Sequence, residues 1–316
     1  MFALWWRRRC CFPHAIGQPD PKLPTSGRSG VDRRPDFRFQ ATDGTASACA
    51  IKGLRDGQPC DRAQCGVWWF TEPMVISQEY VDVSVGDRAM RTFVATPRAP
   101  GLHPGVVFYS DIFQLTDSTL RWCRRLAGYG FVVVAPEIYH RIEPAGTVLE
   151  FDDEGKRRGQ ADADATPVVD FDDDIRAALD WLEADDRVAE DGLCVTGHCT
   201  GGHLGFRAAF DPRVRAAALW YPTGLHDGKL GRDADAGSLG RVSEIRGEML
   251  LIFGINDPHT PADGRAVIKR GLEQAGVDFR WRLYDAEHAF GRDIGPRYDP
   301  EACDTAFAET VALLKT

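Results

Sequence analysis

The stretch from Val195 to Gly205, V-T-G-H-C-T-G-G-H-L-G, constrains this chain more than any other. Leu193, Cys194 and Val195 form a short apolar run of strand type, and Leu204 to Phe210 has helical spacing. Between them Gly197, His198, Cys199, Thr200 and Gly201 must carry the chain from strand to helix. So tight a turn tolerates little or no side chain two places either side of its centre, and Gly197 and Gly201 meet that need. Gly202 lets the helix lie close to the strand. Cys199 then stands at a helix N-terminus, where free N–H groups and the helix dipole favour a thiolate. The pattern is that of a G-x-S-x-G nucleophile turn with cysteine in the serine's place.

Taken alone, G-x-C-x-G also fits a buried cysteine acting as a small hydrophobe. A metal site made of His198, Cys199 and His203 matches no standard zinc spacing, and no metal is expected. The remainder of the chain decides between these readings.

Tyr80–Val85 and Met90–Ala95 alternate apolar and polar around Gly86 and Asp87, which reads as a hairpin of half-buried strands. Gly105–Tyr109, Gly130–Ala135, Ala216–Tyr221 and Glu248–Gly254 are continuous apolar runs, the mark of strands covered on both faces. Helical patterns separate them: Ser118–Ala127, Phe171–Glu183, the helix after Cys199, and Ala262–Ala275. Phe279–Tyr284 adds a last strand and Cys303–Leu314 a closing helix. Glu143–Val169 and His226–Arg246 are polar and irregular, and are read as excursions over the sheet edge. An antiparallel hairpin followed by strands alternating with helices calls for an α/β fold with a doubly wound, mostly parallel sheet.

In such sheets reactive residues gather at the carboxyl ends of strands. A cysteine nucleophile needs a base and an acid that orients the base. The strand ends after the turn supply Asp257 (G-I-N-D-P) and then His288 (D-A-E-H-A-F). Nucleophile, acid, histidine is the order of the α/β-hydrolase arrangement. An earlier strand end carries Y-S-D-I-F, and the N–H groups of Ile112 and Thr200 are the candidates for an oxyanion hole. Asp111 either caps the approach to a helix or lies near the thiol.

Charge and cysteine content bound the setting. The net charge is −9 over 316 residues, split into +4 for residues 1–72 and −13 beyond, which argues against binding a nucleic-acid backbone. Five of the nine cysteines fall within the first 65 residues at spacings that suggest neither a zinc site nor a disulfide framework. The apolar residues at the N-terminus precede the basic ones, the reverse of a secretory signal, and no apolar run is long enough to span a membrane. A cytoplasmic protein without membrane contact is expected. Residues 1–73 lack sustained periodicity and are expected to be a poorly ordered extension, with the folded domain running over residues 74–316.

Together the stretches S-D-I-F at Ser110, A-P-E-I-Y at Ala135, G-H-C-T-G-G at Gly197, G-I-N-D at Gly254 and E-H-A-F-G-R at Glu287 resemble the dienelactone hydrolase family, of carboxymethylenebutenolidase type, over Tyr80–Leu314. The resemblance implies an α/β-hydrolase fold, no cofactor, and Cys199, Asp257 and His288 as a catalytic triad. It implies that Asp111 stands where the family has a glutamate touching the thiol. It also implies that Arg292, with Arg157 as its best partner, holds a substrate carboxylate. The departures are the shorter Asp111, Ala289 in place of serine after the histidine, and an acidic segment after Arg158 without pocket-shaping aromatic residues. The expected activity is hydrolysis of a lactone or carboxylic ester through a thioester acyl-enzyme, by a monomer or small homo-oligomer acting on a small molecule, with an anionic one favoured by the arginines. The alternatives are an esterase or thioesterase on a larger substrate, and a non-catalytic binding module.

Overall fold

The computed structural model describes residues 76–316; the expectations for residues 1–73 fall outside them. Eight strands form one sheet: β1 (Ile76–Val85), β2 (Arg88–Pro97), β3 (His103–Tyr109), β4 (Val132–Pro136), β5 (Val188–His198), β6 (Ala216–Trp220), β7 (Glu248–Gly254) and β8 (Phe279–Tyr284). The helices are α1 (Asp117–Gly128), α2 (Asp153–Ala165), α3 (Val168–Glu183), α4 (Thr200–Ala208), α5 (Ala262–Ala275) and α6 (Pro300–Leu314). The spatial order is β1-β2-β4-β3-β5-β6-β7-β8. The first two pairings are antiparallel and the rest parallel, as the strand and helix patterning requires.

Strand periodicity divides the core in two. Val107 and Tyr109 of β3 point into one apolar layer with Phe171, Ile175, Leu179 and Leu182 of α3. Val106 and Phe108 point into the other, with Leu120, Trp122 and Leu126 of α1 and Phe307 and Leu314 of α6. Each layer excludes water from side chains worth about 1.5–3 kcal/mol apiece on burial. The sheet is therefore covered on both faces, and its carboxyl ends are the free edge on which loops can carry chemistry.

One expectation is corrected. The excursion over Glu143–Val169 contains a full helix, α2, and the start of α3. Asp152 caps α2 by accepting a hydrogen bond from Gly155 N at 2.7 Å, and Asp153 and Glu154 stand favourably in its first turn. Its buried residues are Gly155, Gly159, Asp162 and Ala163, so no large apolar stripe announces it. Small residues instead allow close approach: a Cβ at Gly159 would lie 2.3 Å from the carbonyl oxygen of Ile112. A bidentate ion pair from Arg158 to Glu143 ties the helix to the preceding loop. The second excursion likewise contains a short 3-10 segment, Ser238–Glu244.

Candidate active site

β5 ends at His198, and Cys199 takes φ 58° and ψ −119°, a left-handed conformation that is strained for a residue with a Cβ. Its N–H donates to Trp220 O at 3.0 Å, and its carbonyl accepts from Gly202 N at 3.0 Å and Thr223 N at 3.3 Å. A Cβ at Gly197 would lie 2.2 Å from Gly201 O, and one at Gly201 2.1 Å from Tyr109 O. The two glycines are thus demanded by backbone contact, which also presses the turn against the loop after β3. Among the described cysteines, Cys123, Cys194 and Cys303 are buried and their thiols pushed up by that burial, whereas Cys199 is half-buried.

The loops after β7 and β8 bring Asp257 and His288 together, Nδ1 to Oδ2 at 2.7 Å. The second oxygen of Asp257 accepts from His259 N at 2.8 Å. Both side chains are buried. Burial opposes ionisation of each, yet their pairing holds the Asp257 carboxyl below its usual range. Burial likewise opposes charging of His288, but the neighbouring Cys199 and Asp257 outweigh it and raise its pKa to about 9. Ala289, next in the chain, sits at φ 63°, and Tyr221, whose ring lies 5.1 Å from that of His288, at φ 38°. Three of the four non-glycine residues with positive φ among the described residues surround this point, a clustering that marks a site held in place by its surroundings.

The N–H groups of Ile112 and Thr200 donate no hydrogen bond among the described residues. Thr200 is the first residue of α4, so its N–H is one of the helix's free donors. Asp111 is buried in the same loop as Ile112. It accepts from Phe113 N at 3.0 Å and from Arg292 at 3.2 Å. Burial raises its carboxyl above the usual range, against the lowering pull of Arg292. Arg292 also lies over the rings of Phe151 (4.4 Å) and Phe113 (5.3 Å), and its Nε is buried without a partner among the described residues.

Two further expected site residues have other partners in the structure. Asp111 is directed to Arg292 and the Phe113 N–H. Beside the Cys199 sulfur stand the Thr223 hydroxyl, at 4.0 Å, and His288. One methylene shorter than glutamate, Asp111 uses its reach on the arginine. Arg157 points away from the buried face of α2, is 70% exposed, and pairs with Glu154. The neighbouring Lys156 is the basic residue of that run whose charge acts on His259.

Three residues beside the site escaped the sequence reading. His259 stacks edge-on to His288 at 4.5 Å, and its place two residues after Asp257 was the available signal. Thr223 follows the end of β6, in a W-Y-P-T-G run whose strand-end position is its one sequence signal. Its carbonyl is held by His203, the third. His203 Nδ1 lies 2.9 Å from Thr223 O, which can only accept, so Nδ1 carries the proton. Burial drives the His203 pKa down to about 3, so the ring is neutral and Nε2 accepts from Ser238 Oγ at 2.7 Å. Arg207 donates to Ser238 Oγ and is clamped in turn by Asp172. A buried chain of directed hydrogen bonds thus fixes the turn beside the thiol. His198 packs among Phe108, Trp122, Trp220 and Tyr221, where burial holds it neutral, with a pKa of about 3.

The sequence profile of the Dienelactone hydrolase family matches residues 90–316. The chain belongs to the dienelactone hydrolase family. A Saccharomyces cerevisiae protein named "Putative carboxymethylenebutenolidase" is 36% identical over 229 residues, spanning 70% of this chain and 84% of that one. The carboxymethylenebutenolidase of a Pseudomonas species is 28% identical, over 69% of this chain and 86% of its own. Among solved structures, a dienelactone hydrolase-like promiscuous phosphotriesterase from metagenomic libraries superposes with TM-score 0.63 at 20% identity, covering 76% of this chain and 98% of the other. That likeness establishes the α/β-hydrolase fold. The dienelactone hydrolase family membership makes this chain a hydrolase acting on ester bonds. No helix of the described residues is long and apolar enough to cross a membrane.

Proposed function

We propose that this dienelactone hydrolase relative cleaves a lactone or carboxylic ester of a small molecule through a thioester on Cys199, with His288 as base and acid and Asp257 fixing its tautomer. The observation that carries the reading is the buried Asp257–His288 pair at 2.7 Å beside a cysteine in a strained left-handed turn at a helix N-terminus. Asp257 accepts the Nδ1 proton, which leaves Nε2 to serve the reaction.

The charge arrangement supports both half-reactions. In the resting site the neighbouring Cys199 and Asp257 outweigh burial and keep His288 protonated up to about pH 9. The thiolate attacks the carbonyl carbon, and the oxygen that gains charge meets the N–H groups of Ile112 and Thr200. The C–O bond then breaks, and the departing oxygen takes the proton of His288. Acylation removes the charge on sulfur, so burial regains its weight and His288 becomes a neutral base. It takes a proton from water, the hydroxide attacks the thioester, and the thiolate leaves. A thiolate attacks lactones and activated esters readily, whereas amides have a poor leaving group, so peptide bonds are the weaker substrate.

Arg292 supports an anionic substrate: a substrate carboxylate can replace the Asp111 carboxylate on its guanidinium. The test is iodoacetamide labelling. Native protein should lose p-nitrophenyl acetate hydrolysis in step with alkylation of Cys199, and activity that outlasts full alkylation would refute the reading.

A further inference from the structure

We propose that the cavity beside Cys199 is a subsite for an uncharged, hydroxyl-rich leaving group, the alcohol half of the scissile ester; this rests on the hydrolase reading above. The cavity has a volume of about 460 Å³ and lies between α2, the loop after β6 and the loop after β7. Thr200, Thr223 and His259 line it. The first two flank Cys199 in the structure, and the ring of the third lies 4.5 Å from that of His288. In acylation the departing oxygen must come within reach of His288, so the group attached to it is directed toward the His259 side. Cys199 and His288 themselves stand outside its lining, next to Thr200 and His259, and neither Arg292 nor Asp111 lines it, so a carboxylate held by Arg292 occupies a different place.

The walls set the chemistry. On α2, Gln160 donates to Asp164 at 2.9 Å; across the cavity, Lys229 pairs with Asp227 at 2.8 Å. His226 adds a ring whose Nδ1 is buried without a partner among the described residues. Each acid already meets a donor, Asp233 accepting from Val168 N at 2.7 Å, and a quaternary ammonium could answer none of the donors or acceptors of the walls with a hydrogen bond. A further anion would meet three carboxylates. An alkyl group would cover these polar groups without replacing their hydrogen bonds to water. Hydroxyl groups both donate and accept, which matches walls of mixed donors and acceptors. The apolar side chains of Ala163, Leu230 and Pro261 offer the patches on which the carbon skeleton of a polyol can rest. The volume admits a glyceryl or hexosyl group. The Thr223 wall is held in advance by the His203–Ser238–Arg207 chain, so little ordering remains for the ligand to impose.

The experiment compares kcat/KM of the full chain on monoacetylglycerol, propyl acetate and acetylcholine, with p-nitrophenyl acetate as a parallel reading of the chemistry. The glyceryl ester should exceed the propyl ester about tenfold, the gain of one or two net hydrogen bonds. Acetylcholine should do no better than the propyl ester. Gln160→Leu and Asp164→Leu, both at exposed positions, should bring the glyceryl-to-propyl ratio toward one. A propyl ester equal to or better than the glyceryl ester, or acetylcholine leading the series, overturns the subsite while p-nitrophenyl acetate turnover leaves the hydrolase reading standing. Hydrolysis of p-nitrophenyl acetate that survives Cys199→Ala overturns the thiol reading and the subsite with it.

Discussion

At the residue scale the site is an arrangement of charges around one sulfur. Cys199→Ser keeps the shape of the turn but replaces a readily ionised thiol with a hydroxyl that stays neutral. Its kcat on p-nitrophenyl acetate should fall at least about 100-fold with the thermal midpoint little changed. Serine turnover near the native rate would count against a thiolate. The pH profile follows from His288. Its pKa is raised above the ordinary histidine value, so the protonated form needed for leaving-group departure is present at neutral pH and is lost as pH rises through about 9. Plotted against pH, kcat/KM should fall on a basic limb near pH 9. Asp257→Asn removes one source of the raised pKa and should move that limb to lower pH; a limb unmoved by the change would detach Asp257 from His288. For Arg292→Ala, the loss on a carboxylate-bearing lactone should exceed the loss on its methyl ester by roughly 100-fold. Equal losses would make Arg292 a partner of Asp111 and nothing more.

At the scale of elements, α2 bears on the loop that carries Ile112. Gly159→Ala would place a Cβ 2.3 Å from Ile112 O, and backbone must move to relieve it. Overpacking of this kind costs about 1–3 kcal/mol of stability, and the shift falls on the loop whose N–H is assigned to the oxyanion. The expected result is a kcat lowered about tenfold or more, beside a modest drop in thermal midpoint. A normal kcat would mean that Ile112 N–H is not part of the hole. The same helix shows where sequence reading stops. β3 and β7 were readable because runs such as V-V-F-Y and M-L-L-I-F serve two buried faces. α2 is seated by glycine contacts and ion pairs, neither of which leaves a periodic trace. The register of its basic run Lys156–Arg158 is therefore not legible in the sequence, and the structure has the charge of Lys156 acting on His259. Asp257 and His288 were readable because strand order sets the sequence in which site residues arrive. Thr223 and His203 were not, because a hydroxyl and a buried imidazole take their meaning from partners distant in sequence.

On the scale of the whole molecule, six parallel strands deliver the ends of β3, β4, β5, β6, β7 and β8 to one edge, and every site residue follows one of them. Two apolar layers of the described residues back that edge, and from the composition of residues 1–73, which offers no periodic apolar face, we propose that the fold does not depend on them. A chain beginning at Met74 should therefore fold with native-like far-UV circular dichroism and hydrolyse p-nitrophenyl acetate at the full-length rate. Aggregation or lost activity would show that the first 73 residues pack on the domain. The central claim, an acyl group carried on Cys199, is read most directly by mass spectrometry. Protein quenched during turnover of p-nitrophenyl trimethylacetate, whose crowded acyl group slows deacylation, should carry one acyl mass on the Cys199 peptide, formed in step with a burst of nitrophenol. Nitrophenol released over many turnovers with Cys199 unmodified, or with the acyl group on another residue, would contradict it.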